Sequence, residues 1–235
     1  SVRPMKRTPR LYLSVDSFSE NGVTLGKTDR HYLSRVLRKS SGADFCAMDG
    51  LGRAWLCRLT EEGVSPRVGD YPAVSPLPVQ LHFGVALCKP NRFEDAVEKL
   101  AELGVASVTP LVTERVDNPS PSTNKLRRLH DIAQSASALC FRSVPLEVRD
   151  CMELTDFVES RSNILFAHPG GQAACSLFSE MAAKQTILIG PEGGFSESEV
   201  SFLQSKGEAF CLGPLNLRVA TAATTAAALA LNCSR

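Results

Sequence analysis

A change of hydrophobic rhythm at a proline cluster constrains the fold of this chain more than any other feature. Tyr71-Pro72-Ala73-Val74-Ser75-Pro76-Leu77-Pro78 carries three prolines in eight residues. Each proline fixes φ and removes a backbone donor, so neither a helix nor a central strand runs through this stretch. Before it, short β-rich runs at residues 10–15, 44–48 and 53–59 are separated by turn formers such as Asp49-Gly50-Leu51-Gly52, with one short helix expected at 29–37. After it, apolar runs at 79–87, 107–112, 163–167, 186–189 and 208–212 alternate with helical patterns at 93–103, 125–139, 196–205 and 219–231. Strands alternating with helices predict a mostly parallel sheet covered on both faces. The expected organisation is therefore α/β: a small N-terminal β-barrel or sandwich over residues 1–72, a Pro-rich linker at 73–78, and a larger domain over 79–235.

Composition removes several classes of function. The longest apolar runs, including the Ala-rich stretch at 220–231, fall short of the roughly 20 residues that span a bilayer. Arg3, Lys6, Arg7 and Arg10 are not followed by an apolar segment and a small-residue cleavage site, so no secretory signal is expected and a cytoplasmic location follows. The eight cysteines form no close Cys-x-x-Cys pair. They are expected to be reduced, small buried side chains, and no metal site is expected. The net charge of +1 hides an asymmetry, because residues 1–72 hold 12 Lys and Arg against 8 Asp and Glu, and the rest holds 14 against 17. A basic module beside a slightly acidic one suits a polyanion-binding appendage on an enzyme, since phosphate neutralisation is the sequence-independent part of nucleic-acid affinity.

In parallel sheets ligands bind beyond the carboxyl ends of the strands, which directs attention to two loops. Ile189-Gly190-Pro191-Glu192-Gly193-Gly194-Phe195-Ser196 follows an apolar strand and precedes a helix. Ser196 is its expected N-cap, with Glu199 completing a capping box. Bare glycine backbone lets a ligand's polar edge reach N–H and C=O groups directly. The Gly-Lys-Ser/Thr of a Walker phosphate loop is lacking. One β-α-β step later, Cys211-Leu212-Gly213-Pro214-Leu215-Asn216-Leu217-Arg218 repeats the design. Two such turns at adjacent strand ends form opposite walls of one pocket, where backbone groups and the apolar Leu212, Leu215 and Leu217 hold an adenine without a charged clamp. Upstream, Ala167-His168-Pro169-Gly170-Gly171 also ends a strand and offers a further wall.

The strings IGPEGGFSESEV and LGPLNLR, followed by an Ala/Thr-rich terminal helix, resemble the 16S ribosomal RNA uridine-N3 methyltransferases of the SPOUT class. Supporting matches are Glu98-Lys99-Leu100-Ala101-Glu102-Leu103-Gly104-Val105, Thr113-Glu114-Arg115, Arg142-Ser143-Val144-Pro145, His31-Tyr32-Leu33, Val36-Leu37-Arg38 and Asp49-Gly50. The resemblance implies an N-terminal PUA-like β-barrel that binds RNA and a C-terminal domain with a deep trefoil knot, a rare exception to unthreaded topology. It also implies S-adenosyl-L-methionine as cofactor, small-subunit ribosomal RNA as substrate, and a homodimer formed through the C-terminal domain. The cofactor positions it carries over are Ala167, His168, Ile189, Gly190, Pro191, Glu192, Gly193, Gly194, Leu212, Gly213, Pro214, Leu215 and Leu217.

The chemistry such an enzyme needs is modest in kind. The sulfonium of the cofactor is an activated methyl donor, so the protein must place the acceptor in line and favour its deprotonation. A fixed positive charge near uracil N3 stabilises the developing anion. Arg218, at the head of the last helix, is the first candidate, against a structural arginine that bonds loop carbonyls. Glu192 is a candidate base or orienter, although a carboxylate before a helix N-terminus is favoured by the dipole in any case. Arg10, Arg35, Arg38, Arg115 and Arg142 are the candidate RNA-binding residues. His168 reads as a loop residue rather than a base, and Glu102, which shares a helical stretch with Lys99, is open equally to an exposed pair on that helix or to a role in the site.

Two stretches depart from the family pattern. Arg218-Val219-Ala220-Thr221-Ala222 stands where the family commonly has Arg-Thr-Glu-Thr-Ala, and Ala138-Leu139-Cys140-Phe141-Arg142 where it commonly has Glu-Gln-Ser-x-Arg. These replacements leave two other readings open: a SPOUT methyltransferase acting on a ribose 2′-hydroxyl or transfer RNA, or a dimeric RNA-binding protein weakened in catalysis.

Overall fold

The computed structural model describes residues 8–72, 74–116 and 122–233. The expectations placed on Arg3, Lys6, Arg7 and Ala73 lie outside the described residues. The chain divides into two compact units, one made of residues up to Ser75 together with Ala138–Pro145, the other of Pro76–Ser137 and Leu146 onward.

The first unit runs β1 (Arg10–Tyr12), β2 (Phe18–Ser19), β3 (Gly22–Thr24), α1 (Lys27–His31), β4 (Asp44–Met48), β5 (Ala54–Arg58) and β6 (Val64–Asp70). Its six strands form one sheet in the order β1-β4-β5-β6-β3-β2, a curled half-barrel that matches the PUA-like N-terminal unit expected. Leu11, Leu13, Val23, Leu33, Phe45 and Cys57 fill its core. The β4–β5 hairpin is closed by Asp49, whose Oδ1 accepts from the N–H groups of Leu51 at 2.8 Å and Arg53 at 3.0 Å, the Asx turn that Asp-Gly favours. The guanidinium of Arg30 clasps the next connection by donating to the carbonyls of Thr60, Glu61 and Gly63. Sequence reasoning missed β6 because Pro66 and Gly69 interrupt it. Pro66 survives there because it faces Gly22 beside the short β3, where little ladder is lost.

Segment 138–145 belongs to this unit although it lies far along the chain. Val74 N–H donates to the Phe141 carbonyl at 2.6 Å, and Ser143 N–H to the Val74 carbonyl at 2.9 Å. Tyr12 donates its hydroxyl to the Arg142 carbonyl at 2.6 Å, and Ala138 packs against the cluster of Cys46, Met48 and Ala54.

The second unit runs β7 (Gln80–Ala86), α2 (Pro90–Glu102), β8 (Ser107–Val112), α3 (Thr123–Leu139), β9 (Glu147–Val148), β10 (Met152–Glu153), α4 (Leu154–Glu159), β11 (Ile164–Ala173), α5 (Ala174–Phe178), β12 (Lys184–Ile189), α6 (Glu197–Gln204), β13 (Gly207–Cys211) and α7 (Val219–Cys233). The strands form one sheet in the order β10-β8-β7-β12-β11-β13, with β9 also on β8, and every pairing is parallel. Alternation along the strands feeds two cores. Leu81, Phe83, Val85, Ile187, Ile189 and Phe210 face the layer of α2, α3, α5 and α7. Leu111, Phe166 and Leu188 face α4 and α6 through Phe157, Val158 and Leu203. Each fully buried Phe, such as Phe83 or Phe210, contributes about 1.5–3 kcal/mol. In α2 the buried residues Phe93, Ala96, Val97, Leu100 and Ala101 form one helical stripe, and α2 packs on α7, whose facing side offers the small Ala223, Ala226, Ala227 and Ala230.

Candidate active site

The carboxyl ends of β12, β11 and β13 converge on a cavity of about 280 Å³. The first wall is the turn after β12. Gly194 N–H closes it on the Pro191 carbonyl at 2.8 Å, and Phe195 anchors it by burying its ring edge-on against Phe166 at 6.4 Å between centroids. The predicted capping box is complete: Ser196 Oγ accepts from Glu199 N–H at 3.1 Å, and Glu199 Oε2 accepts from Ser196 N–H at 2.8 Å. Glu199 also does something its sequence position does not announce. Its Oε1 accepts from the Glu114 N–H at 2.9 Å, and Ser198 Oγ donates to the Glu114 carboxylate at 2.9 Å. A buried carboxylate thus ties the loop after β8 to the head of α6.

The second wall corrects an expectation. The strand at 163–167 does not end before His168 but continues to Ala173, because both Ala167 and Gln172 pair with Phe210 and the residues between them bulge out. The bulge carries His168 to the cavity, where its Nδ1 accepts from Gly170 N–H at 3.1 Å. Gly171 makes the return possible, since a Cβ there would sit 2.6 Å from backbone atoms of Ala209 and Phe210. The third wall follows β13. The Cys211 thiol accepts from Gly213 N–H at 3.4 Å and donates to the Gly213 carbonyl at 3.3 Å, stapling a turn in which Gly213 takes φ of +115°.

All the cofactor positions named from sequence line this cavity except Pro214. Sequence reasoning missed Pro169, Cys211, Asn216, Val219 and Ala222, which also line it. The last two sit one helical turn apart on α7, a spacing visible only once that helix is placed beside the turns. A bound nucleoside would meet glycine backbone and the apolar Ile189, Leu212, Leu215 and Leu217. A Cβ at Gly194 or Gly213 would meet nothing within 4 Å, so the backbone is bare on the open side. Among the described residues no lysine or arginine lines the cavity, which suits a ligand that carries a sulfonium cation.

The catalytic candidates fall at its margin. Glu192 lines the cavity, and its carboxylate is ion-paired with Arg92 of α2. Arg218 is exposed immediately before α7, outside the lining residues, and its carbonyl accepts from Ala222 N–H at 2.8 Å. Arg115 donates to the Gly193 carbonyl at 2.5 Å, bracing the turn after β12 from behind. Among the other candidate RNA contacts, Arg35 and Arg38 are exposed after α1. Arg10 stacks over the Phe141 ring at 3.4 Å and donates to the Tyr71 hydroxyl. Arg142 donates to the Val144 carbonyl at 3.0 Å, and burial lowers its pKa. Of the two readings open for Glu102, the structure shows the exposed pair with Lys99 on α2. The cysteines are all free, but only Cys46 and Cys57 are buried and Cys175 is exposed. The two buried thiols lie within β4 and β5, whereas the others sit in loops, on the short α5 or at the last residue of an element, where little packs over them.

Comparison with known proteins agrees with this geometry. The family model for an RNA methyltransferase domain matches residues 75–231, and that for an RNA methyltransferase PUA domain matches residues 25–63. The chain is 30% identical to ribosomal RNA small subunit methyltransferase E of Synechocystis, covering 93% of this chain and 76% of that protein. Against the Bacillus subtilis protein of the same name it is 25% identical, covering 82% of each. Among solved structures it resembles a methyltransferase of Legionella pneumophila in complex with the cofactor SAM, at a TM-score of 0.85 and 27% identity over 96% of this chain and 97% of that one. An rRNA methyltransferase of Porphyromonas gingivalis gives a TM-score of 0.80 at 25% identity, over 97% of this chain and 100% of that one. With both units matched and the cavity formed by the strand-end turns, the chain belongs to the RNA methyltransferase family of ribosomal RNA small subunit methyltransferase E, with its N-terminal PUA domain.

Proposed function

We propose that this protein transfers a methyl group from S-adenosyl-L-methionine to N3 of a uridine in small-subunit ribosomal RNA, acting as a homodimer in the cytoplasm. The observation that carries the proposal is the cavity itself: three strand-end loops, bare glycine backbone, apolar walls and no cation. The turn after β12 and the turn after β13 would hold the adenosine between them, with the β11 bulge as the third side. The cofactor supplies an activated methyl group and needs no further activation.

The chain's own residues then have to bind the RNA and stabilise the uracil anion. Arg218 is the candidate for the second task. A cation at a helix N-terminus is opposed by the dipole at a cost of about 0.3–1 kcal/mol, and no ion pair offsets this among the described residues. An anion forming on a ligand beside it would offset that cost. The Arg92 ion pair leaves Glu192 as an orienting group for the turn. Leu215, 77% exposed within the cofactor turn, is a surface that a second copy would cover, in keeping with a dimer formed through this unit. The implied knot belongs to the same proposal, and the adjacency of β12, β11 and β13 with both turns at one cavity supports it.

Two measurements decide the proposal. Calorimetry should show S-adenosyl-L-methionine binding at one site per chain, and small ribosomal subunits lacking the modification should gain one methyl group on a uracil base. Methyl on a ribose or on transfer RNA would move the substrate elsewhere, and RNA binding without turnover would assign a binding role.

A further inference from the structure

The turn Pro191-Glu192-Gly193 has a second side. Behind it lies another cavity, of about 400 Å³, at the ends of β7, β8 and β12. Its charge is opposite in kind to that of the cofactor cavity, for Lys89, Arg115 and Lys125 all line it. Its two carboxylates are already matched: Glu192 by Arg92, and Glu94 by Arg128 through a bidentate pair at 2.6 and 2.8 Å. Neither Lys89, Lys125 nor Arg115 has an ion pair among the described residues. The lining thus retains a surplus of positive charge. Leu87, Phe93 and Leu129 supply apolar surface beside it.

The backbone agrees with the side chains. The thirteen-residue α2 starts at this cavity with Lys89 in the N-cap position, no side-chain cap bond and no acidic residue in its first turn. Helix starts usually carry an acceptor and an acid. Here the first turn meets a cation instead; Pro90 has no N–H and those of Arg92 and Phe93 donate to the Lys89 carbonyl, so an anionic ligand would be drawn by the lysines and by a helix dipole that no acid offsets.

Building on the proposed function, we propose that this cavity seats an unstacked nucleotide of the RNA substrate, its phosphate on Lys89 and Lys125 and its base against Leu87, Phe93 and Leu129. This nucleotide is a neighbour of the target uridine, not the target itself, and it and the cofactor then lie on opposite faces of one three-residue turn, which Arg115 and Arg92 brace. A cation-free cavity for the methyl donor and a cation-rich one for the polyanion divide the charge as their ligands require.

The test uses the double variant Lys89→Ala/Lys125→Ala in the full chain, with a short uridine-containing single-stranded RNA as binding probe. RNA affinity should fall by ~10-fold or more, and the slope of log affinity against log salt should become shallower by about 0.7, the share of one phosphate contact on a single strand. Affinity for S-adenosyl-L-methionine should stay within about 2-fold of wild type, and Lys89→Arg/Lys125→Arg should restore RNA binding. Unchanged RNA affinity and salt slope would overturn the assignment. So would a change of sedimentation in the double variant, which would make the cavity a contact between copies. The wild-type protein separates the two proposals: if it binds the RNA probe but not the cofactor, the methyltransferase reading fails while the RNA cavity stands or falls on the lysines alone.

Discussion

At the scale of single residues the site depends on a carboxylate that touches neither proposed ligand. Glu199 accepts from Ser196 N–H within its own helix start and from Glu114 N–H across to the loop after β8. With 7% of its surface exposed, its removal strands donors that water reaches poorly. The Ser196 Oγ bond to the Glu199 N–H survives in an alanine variant, but the buried Ser196 N–H loses its partner at about 1–3 kcal/mol, and the more exposed Glu114 N–H at about 1 kcal/mol. Glu199→Ala should therefore lower unfolding free energy by about 2–4 kcal/mol in urea titration, whereas Glu199→Gln, which keeps one acceptor, should cost about half as much. A loss under about 1 kcal/mol for the alanine variant would show that the tie between the two loops is replaced by solvent. Half of this was legible beforehand. Ser-x-x-Glu announces a capping box, but nothing in the sequence says that the same carboxylate has a second customer 85 residues upstream.

At the scale of elements, the parallel strands and the helices between them follow from hydrophobic period, and the strand at Ser107–Val112 falls where it was expected. The β11 bulge escaped because a Pro-Gly-Gly run reads as the end of a strand. Whether the chain resumes pairing afterwards depends on Phe210, a residue of another strand. The cation-rich cavity escaped for a related reason, since its lining comes from four separate stretches whose charges look like ordinary surface. The bulge gives a sharp test. Gly171→Ala puts a methyl group 2.6 Å from the β13 backbone, where neither side can yield, so the wall carrying His168 must shift. Affinity for S-adenosyl-L-methionine should drop by ~10-fold, about 1.4 kcal/mol, with a stability loss of about 1–3 kcal/mol. Gly170→Ala, whose new methyl meets only the His168 ring at 3.3 Å, should leave calorimetric affinity within about 2-fold.

At the scale of the whole molecule, no helix among the described residues is long and apolar enough to cross a membrane, and the eight free thiols report on its opening. Burial pushes the thiol of Cys46 up to about 12 and that of Cys57 up to about 11, while Cys175 is exposed. With iodoacetamide near neutral pH, mass spectrometry should find Cys175 alkylated first, and Cys46 and Cys57 modified together, only as fast as the first unit unfolds. Early modification of Cys57 would mean that this unit opens locally. Segment 138–145 bears on how that unit comes into being. Domains usually finish in the order in which they leave the ribosome, yet this one lacks the strip that pairs with Val74 and takes the Tyr12 hydroxyl until Pro145 has been synthesised. The N-terminal half must wait, open along one side, while β7, α2, β8 and α3 of its neighbour emerge. A fragment cut at the proline cluster would inherit that gap for good.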